Sequence, residues 1–302
     1  MSVTLADKVV VITGAGQGLG RAYALAAAAD GAHVVVNDVN GVAAEAVVAE
    51  IVGLGGEGSV STASVTDHAA VGRDLDDVLS RLGRLDGVVN NAGLFGLGDP
   101  WELDPAACRA MVEVNVFGPI NVGAHALRIM RARGAGSVVN VISGSAFGQA
   151  ASSVYGATKG AVLSLTYGWA FELAGSGIRV NAVSPMASTS MTEVFQDHFG
   201  TGVGGDWPAE RVAPLVSFLL SDASSGVHGQ VLRLDRGSLS LLRRPRFVGA
   251  ELQEEWTPAE IEGWARRVVL PDPEGLGLHT LHGVAGGTPG EHAASKMKPV
   301  RP

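Results

Sequence analysis

The chain has 302 residues, of which 46% are hydrophobic and 17% charged, and its formal net charge is −8. This length allows one large domain, or one domain with an appendage, and the Ala, Gly and Val content suits a buried sheet covered by small-residue helices. The negative charge and the lack of a long basic run argue against nucleic acid, because phosphate binding needs clustered Lys and Arg. A small molecule is the expected partner.

The cellular location is predicted from cysteine content and from apolar runs. Cys108 is the only cysteine, so no intramolecular disulfide can form, and residues 1–8 lack the pattern of a signal peptide. No apolar run reaches the roughly 18 residues that a membrane span needs. We therefore expect a cytoplasmic protein without a membrane partner.

Short β-branched runs alternate with longer Ala- and Leu-rich segments along the chain, which is typical of a parallel sheet with crossover helices. The predicted strands are Lys8–Thr13, His33–Asp38, Gly58–Thr62, Leu85–Asn90, Gly136–Ile142, Ile178–Val183 and Gly229–Leu234. The predicted helices are Gly18–Asp30, Val42–Val52, Asp67–Leu82, Pro105–Arg133, Ser152–Ala174 and Pro208–Leu220. This order predicts an α/β fold with a Rossmann-like, doubly wound parallel sheet of about seven strands, and ligands at the carboxyl ends of the strands.

The first predicted strand runs directly into a glycine-rich segment, TGAGQGLG at Thr13–Gly20, and then into a helix. Such glycines let the backbone approach a pyrophosphate at a helix N-terminus, and an ordinary Gly-rich turn is the alternative. Asp38 ends the second strand, 18 residues after Gly20. Its carboxylate is placed to accept hydrogen bonds from ribose hydroxyls and to repel a 2′-phosphate, which predicts NAD rather than NADP. A role as a turn residue is the alternative for Asp38.

Tyr155 and Lys159 are four residues apart at the start of a predicted helix, so both side chains project from one face. The pair is one of several ordered motifs through which residues 6–238 resemble the short-chain dehydrogenase/reductase family. The motifs are TGAGQGLG at Thr13–Gly20, NNAG at Asn90–Gly93, Asn115 in VNVFG, NVISGS at Asn140–Ser145, YGATK at Tyr155–Lys159 and VNAVSP at Val180–Pro185.

The resemblance implies an NAD-dependent oxidoreductase of the secondary alcohol and ketone pair, with Tyr155 as the acid/base. A free tyrosine has a pKa of about 10, so we expect Lys159 and the nicotinium ring to lower the pKa of Tyr155. Family resemblance further implies that Ser143 holds the substrate oxygen, that Lys159 binds the nicotinamide ribose and that Asn115 positions a water. The implied cofactor-binding residues are Gly14, Gln17, Gly18, Leu19, Gly20, Asp38, Ser64, Val65, Asn91, Ala92, Gly93, Tyr155, Lys159, Pro185 and Thr189. No metal site is expected.

Three departures from the family pattern leave alternatives open. Ser143 lies one residue closer to Tyr155 than is common, and Gly144 interrupts the usual run, so Ser145 is a rival substrate anchor. Ser64 stands where many relatives have Asp near the adenine, which leaves Val65 as an apolar contact. The third departure is Met186 in place of a glycine, in an irregular loop where Ser188 or Ser190 could replace Thr189 at the nicotinamide carboxamide.

The substrate is predicted less sharply. Segments around Asp38, Ser184–Thr192 and Ala209–Leu220 resemble the (3R)-hydroxyacyl-CoA dehydrogenase unit of peroxisomal multifunctional enzymes and their bacterial relatives. That resemblance implies a hydroxyacyl-CoA or a steroid-like cyclic substrate. A tailoring ketoreductase of polyketide metabolism and a non-catalytic dinucleotide-binding regulator are the alternatives. Residues expected either to line the pocket or to pack in the core are Phe95, Leu97, Trp101, Phe195 and Phe199.

Residues 239–302 form a predicted C-terminal extension to a domain of residues 1–238. Thr257, Pro258 and Glu260 make a capping box that predicts a helix over about 258–269, followed by a loose tail. The long helices Pro105–Arg133 and Ser152–Ala174 carry more small and apolar residues than one sheet face covers. They predict a homodimer or homotetramer.

Overall fold

The computed structural model describes residues 4–188, 207–235, 237–245, 247 and 255–269. Contacts divide the chain into two units, Met1–Leu242 and Arg243–Pro302. The predicted domain boundary after residue 238 stays a prediction.

A sheet forms the centre of the first unit. Its strands are β1 (Val9–Thr13), β2 (His33–Asn37), β3 (Glu57–Ser61), β4 (Gly87–Asn90), β5 (Gly136–Val141), β6 (Ile178–Pro185), β7 (Val231–Asp235) and β8 (Ser238–Leu241). They lie in the order β3-β2-β1-β4-β5-β6-β7-β8, and β1 to β7 are parallel. The predicted fold class is therefore confirmed.

Helices cover the two faces of the sheet, because the central strands are apolar on both sides. The helices of the first unit are α1 (Gly18–Ala29), α2 (Gly41–Gly53), α3 (His68–Leu82), α4 (Pro105–Val112), α5 (Gly118–Arg133), α6 (Ser153–Glu172) and α7 (Ala213–Leu220). Val10 and Ile12 of β1 belong to the buried cluster that includes residues of α1, α2 and α7. Val9 and Val11 belong to the cluster that includes residues of α3, α5 and α6. Burial on both faces is what a parallel sheet with crossover helices requires.

The order of strands reverses beside β1. The chain passes from β1 to β2 and β3 on one side, and β4 then pairs with β1 on the other side. Ligands of doubly wound sheets bind in the crevice outside the carboxyl ends of the strands at such a reversal. The glycine-rich segment follows β1 and NNAG follows β4, so both line this crevice.

The predicted single helix Pro105–Arg133 is interrupted. A π-helical turn at Glu113–Phe117 separates α4 from α5, and Asn115 lies buried within it. Pro119 explains the break, because proline cannot donate a backbone N–H and its ring crowds the carbonyl of Asn115 four residues earlier. Single π-helical turns inside α-helices are frequent at functional sites.

Strand β8 was missed by the sequence analysis. It pairs antiparallel with β7 through a tight turn in which Gly237 has a φ of +81°. The segment is only four residues long, and its alternation of serine and leucine was the signal that could have revealed it.

In the second unit, helix α8 occupies Pro258–Val268. Thr257 is its N-cap, and the Glu260 side chain accepts from the backbone N–H of Thr257 at 2.9 Å.

Candidate active site

The glycine-rich segment wraps around the N-terminus of α1. Gly14 and Gly18 have φ values of +62° and +54°, in a region of backbone conformation that residues with a side chain rarely adopt. A Cβ on Gly20 would overlap the carbonyl oxygen of Gly14. Gln17, the N-cap of α1, makes no side-chain capping bond, and the first turn has no acidic residue. The N–H groups of this turn therefore remain available to an anion.

Thr13 and Asn91 hold the glycine-rich segment in place. The amide of Asn91 donates to the carbonyls of Thr13 and Gly14 at 2.9 and 3.1 Å. The buried Thr13 hydroxyl accepts the backbone N–H groups of Asn91 and Ala92, both at 3.0 Å. Sequence reasoning missed Thr13, although a polar residue ending an otherwise apolar strand was a usable signal.

Asp38 lies directly after β2, beside the glycine-rich segment. Its Oδ2 accepts the N–H of Gly16 at 3.0 Å, and its Oδ1 accepts the N–H of Asn40 at 2.9 Å. The residue is half-buried, so the carboxylate stays open to a ligand on one side. Each carboxylate oxygen can accept about two hydrogen bonds, which leaves acceptor capacity for two ribose hydroxyls.

Ser64 and Val65 follow β3. The Ser64 hydroxyl lies 2.9 Å from that of Thr66, and Val65 is buried with its carbonyl accepting from Asn121 at 2.9 Å. Val65 also packs closely on Gly118, since a Cβ there would lie 2.9 Å from Val65 Cγ2. The position of Val65 is thus fixed by α5.

Tyr155 and Lys159 occupy the first two turns of α6, and both are buried. Lys159 Nζ lies 5.7 Å from the centre of the Tyr155 ring and donates to the carbonyl of Val141 at 2.9 Å. Helix α6 can pack closely against the backbone of Ser145 because residue 156 is glycine. A Cβ at this position would overlap the carbonyl oxygen of Ser145.

Ser143 and Ser145 lie one behind the other at the end of β5. Ser143 is the residue whose side chain lowers the pKa of Tyr155, and its Oγ is 2.9 Å from Ser145 Oγ. Ser145 is buried and donates to Gln149 Oε1 at 2.5 Å. Of the two rival anchors, Ser143 is therefore the one that acts on Tyr155, and Ser145 lies behind it.

Asn115 joins the start of α6 to the loop after NNAG. Its Oδ1 accepts the N–H of Leu94 at 2.7 Å, and its Nδ2 donates to the Leu94 carbonyl at 2.8 Å and to Thr158 Oγ1 at 3.0 Å. Gly93 lies close to the side chains of both Asn115 and Lys159. A Cβ on Gly93 would be 3.3 Å from Asn115 Oδ1 and 3.6 Å from Lys159 Nζ. The loop after β4 thus meets the catalytic candidates through backbone atoms.

Burial governs the protonation of this cluster in the protein alone. Burial raises the pKa of Tyr155 to about 12, against a smaller lowering by its hydrogen bond with Ser143. Burial also lowers the pKa of Lys159 to about 8. Lys159 is not among the causes that shift the Tyr155 pKa in the protein alone. The expected lowering of this pKa by Lys159 together with the nicotinium ring stays a prediction for the complex with the dinucleotide.

Three further predicted residues lie in α1, at the end of β6 and just after β6. Leu19 packs against the core, and Pro185 ends β6 at the same edge of the sheet. Ser188 pairs with Trp207, its N–H donating to the Trp207 carbonyl at 2.7 Å. Thr189, Ser190, Phe195 and Phe199 lie outside the described residues.

The described ranges contain no group of three or more His, Cys, Asp or Glu side chains that could hold a metal ion. No helix among them is long and apolar enough to cross a membrane.

Comparison with known proteins identifies the family. A family model described as short chain dehydrogenase matches residues 8–199, which span the glycine-rich segment, the three catalytic candidates of β5 and α6, and β6. The chain belongs to this family. This short-chain dehydrogenase is accordingly an oxidoreductase of CH–OH groups, with a fold built to bind a nicotinamide dinucleotide.

Three relatives illustrate the range of the family. Cis-4-hydroxycyclohexanecarboxylate dehydrogenase of Sinomonas cyclohexanicum is 39% identical over 78% of this chain and 98% of its own. Peroxisomal hydratase-dehydrogenase-epimerase of Saccharomyces cerevisiae is 32% identical over 82% of this chain but only 28% of its own. The solved gluconate 5-dehydrogenase of Burkholderia cenocepacia, in complex with NADP and tartrate, has a TM-score of 0.72 and 31% identity, covering 78% and 96% of the two chains.

The residues of this short-chain dehydrogenase fit a dinucleotide. Gly14 and Gly20 let the backbone of the turn pack closely, Gly18 has open space where a side chain would stand, and the N-terminus of α1 lacks a side-chain cap. At the other end, Gly93 leaves space beside Asn115 and Lys159. A pyrophosphate suits the first place and a ribose with its nicotinamide suits the second.

Proposed function

We propose that this short-chain dehydrogenase interconverts a secondary alcohol and a ketone with NAD as its cofactor, acting on a hydrophobic cyclic alcohol or a hydroxyacyl thioester. The observation that carries the proposal is the cluster formed by the buried Tyr155 and Lys159 with the half-buried Ser143 at the carboxyl edge of the sheet. It combines a proton donor, a cation and a hydroxyl anchor within one site.

Each side chain of the cluster has a separate task. The Ser143 hydroxyl donates a hydrogen bond to the substrate oxygen, and the Tyr155 hydroxyl gives that oxygen a proton or takes one from it. Lys159 holds the nicotinamide ribose and supplies positive charge beside the phenol. When bound, the dinucleotide supplies the hydride donor or acceptor.

The raised pKa of Tyr155 gives the two directions different pH dependences. With a pKa of about 12 in the protein alone, Tyr155 is a neutral phenol at physiological pH, the form that donates a proton to a carbonyl oxygen. Alcohol oxidation needs the phenolate, so kcat/KM for oxidation should rise with pH, whereas kcat/KM for ketone reduction should not.

Asp38 supports NAD over NADP. Its carboxylate is fixed by the backbone of Gly16 and Asn40 at the end of β2. A 2′-phosphate in this position would meet a negative charge at close range, whereas two ribose hydroxyls would each find an acceptor.

The proposed substrate class rests on the relatives. The relative from Sinomonas cyclohexanicum carries a cyclic secondary alcohol in its name, and the peroxisomal relative carries a dehydrogenase activity within a larger protein. A tailoring ketoreductase and a non-catalytic regulator are the competing functions. Both would share the glycine-rich segment, but a regulator has no need of Ser143, Tyr155 and Lys159 together.

A homodimer or homotetramer is part of the proposal. Apolar side chains remain exposed around the start of α5 and at the end of α6: Phe117 is 47% exposed, Ile120 37% and Phe171 81%. Covering them in a second copy would remove apolar surface from water.

The experiment that tests this function is a screen of cyclic alcohols, steroids and hydroxyacyl-CoA thioesters with NAD and NADP, each followed by absorbance of the reduced cofactor. We expect NAD-linked turnover of at least one class. If NADH binds but the protein turns over no alcohol or ketone of any class, the regulator is the correct function.

A further inference from the structure

We propose that Phe95 determines specificity by forming an apolar wall beside Tyr155, so that the site accepts alcohols whose carbinol carbon is flanked on that side by CH2 rather than by CHOH. The inference deepens the proposed function and rests on it. The ligand class it names is an apolar ring or chain alcohol, as opposed to a vicinal diol or polyol.

Phe95 contacts the catalytic tyrosine edge to face. The ring centres of Phe95 and Tyr155 are 4.9 Å apart, and the ring planes are 86° to one another. This is the preferred arrangement of aromatic pairs, and such contacts contribute beyond simple burial. Phe95 is itself only half-buried, so part of its surface stays free for a ligand.

Two backbone anchors hold Phe95 in this position. On one side, Leu94 has both its N–H and its carbonyl bound to the side chain of Asn115, at 2.7 and 2.8 Å. On the other side, the N–H of Gly98 donates to the carbonyl of Ala151 at 2.7 Å, just before α6 begins. Both anchors belong to segments next to Tyr155. The position of Phe95 is therefore fixed relative to Tyr155.

The polar and apolar sides of the site are separated. Ser143 lies at the Tyr155 hydroxyl, whereas the Tyr155 ring faces Phe95. The apolar surface continues behind Phe95, since a Cβ on Gly96 would lie 3.0 Å from Met111 Cε. A second hydroxyl next to the reacting carbon, placed against this wall, would give up its water without gaining a partner.

The matched substrates are cyclohexanol and cis-1,2-cyclohexanediol, which differ by one hydroxyl on the neighbouring carbon. We expect wild-type kcat/KM with NAD to favour cyclohexanol by about tenfold or more, as leaving one hydroxyl unpaired implies. Phe95→Asn should reduce this ratio by about tenfold, and Phe95→Leu, which keeps the wall apolar, should preserve it. Leu103→Asn is the control, because Leu103 is a 38% exposed residue farther along the same loop.

A second measurement keeps the test independent of turnover. Calorimetric titration of cyclohexanol and cis-1,2-cyclohexanediol into the complex with NADH, which cannot accept a hydride, should give the same order of affinities and the same response to Phe95→Asn. If the Phe95→Asn protein binds NADH normally but keeps the wild-type preference for cyclohexanol over the diol, Phe95 does not have this role. The proposed function would remain intact. Absence of both turnover and alcohol binding in the wild type would instead refute the proposed function, and this inference with it.

Discussion

The two ends of the dinucleotide cleft are built in opposite ways. At the glycine-rich end, the working parts are backbone N–H groups and carbonyls, and the side chains matter by being absent, as at Gly14, Gly18 and Gly20. At the catalytic end, the working parts are the buried side chains of Tyr155 and Lys159, which α6 brings against β5.

This contrast decides how each end fails. The backbone cradle is lost when a Cβ is added at Gly14 or Gly20, because the clash there is with other backbone atoms that cannot rotate away. A side-chain cluster can lose one member and keep its shape, so that binding and turnover separate. Substitutions at the two ends should therefore give different patterns in binding and in turnover.

The largest expected effect is at the glycine-rich end. Gly20→Ala would place a Cβ against the Gly14 carbonyl and within 2.6 Å of Asn91 Nδ2, so we expect loss of measurable NADH binding. Gly53→Ala is the matched control, because Gly53 lies at the exposed end of α2 with no atom within 4 Å of an added Cβ. Fluorescence titration of NADH checks both, and near-normal binding by a folded Gly20→Ala protein would break the contrast.

At the catalytic end, the paired serines give the next effect. Ser143→Ala removes the hydroxyl that hydrogen-bonds Tyr155, and turnover should fall by about 10²-fold, as for the loss of one donor to a reacting oxygen. Ser145→Ala removes only the support behind it and should cost less than about tenfold. Steady-state kinetics on the best substrate decides, and a larger loss for Ser145→Ala would make Ser145 the substrate anchor.

The smallest effect is expected at Asp38, where a side chain acts within the backbone cradle. Wild type should bind NADH at least about ten times more tightly than NADPH, a difference of about 1.4 kcal/mol. Asp38→Ala should reduce this difference in affinity, chiefly by weakening the binding of NADH. Asp38→Asn, which keeps one oxygen acceptor for the neighbouring N–H groups, separates the lost charge from a loosened loop. Equal affinities in the wild type would contradict the role of Asp38.

Local sequence predicted the elements at the glycine-rich end well, because strand, glycines and helix follow one another within Val9–Ala29. The same reasoning failed where distant segments set the outcome. Thr13 is important through its bonds to residues 91 and 92, far away in sequence. The π-helical turn that buries Asn115 follows from the position of Pro119, which a periodicity of apolar residues does not register.

Motifs predicted the catalytic candidates of the site, but not the effect of burial on their pKa values. Burial of Tyr155 depends on Phe95 and on the approach of α6 to Ser145, which no spacing in the sequence encodes. Burial raises the pKa of Tyr155 in the protein alone, and the expected lowering by Lys159 and the nicotinium ring stays a prediction for the complex. Strand β8 was missed because four residues are too few for a clear period.

The most direct test of the account is the comparison of Tyr155→Phe with Tyr167→Phe, which removes the same hydroxyl from the same helix farther from the cleft. Binding of NADH by fluorescence and turnover of the best substrate are measured for both. We predict that Tyr155→Phe binds NADH as the wild type does while its turnover falls by about 10²-fold or more, and that Tyr167→Phe retains both. Unchanged turnover in Tyr155→Phe would contradict the assignment of Tyr155 as the proton-transfer group.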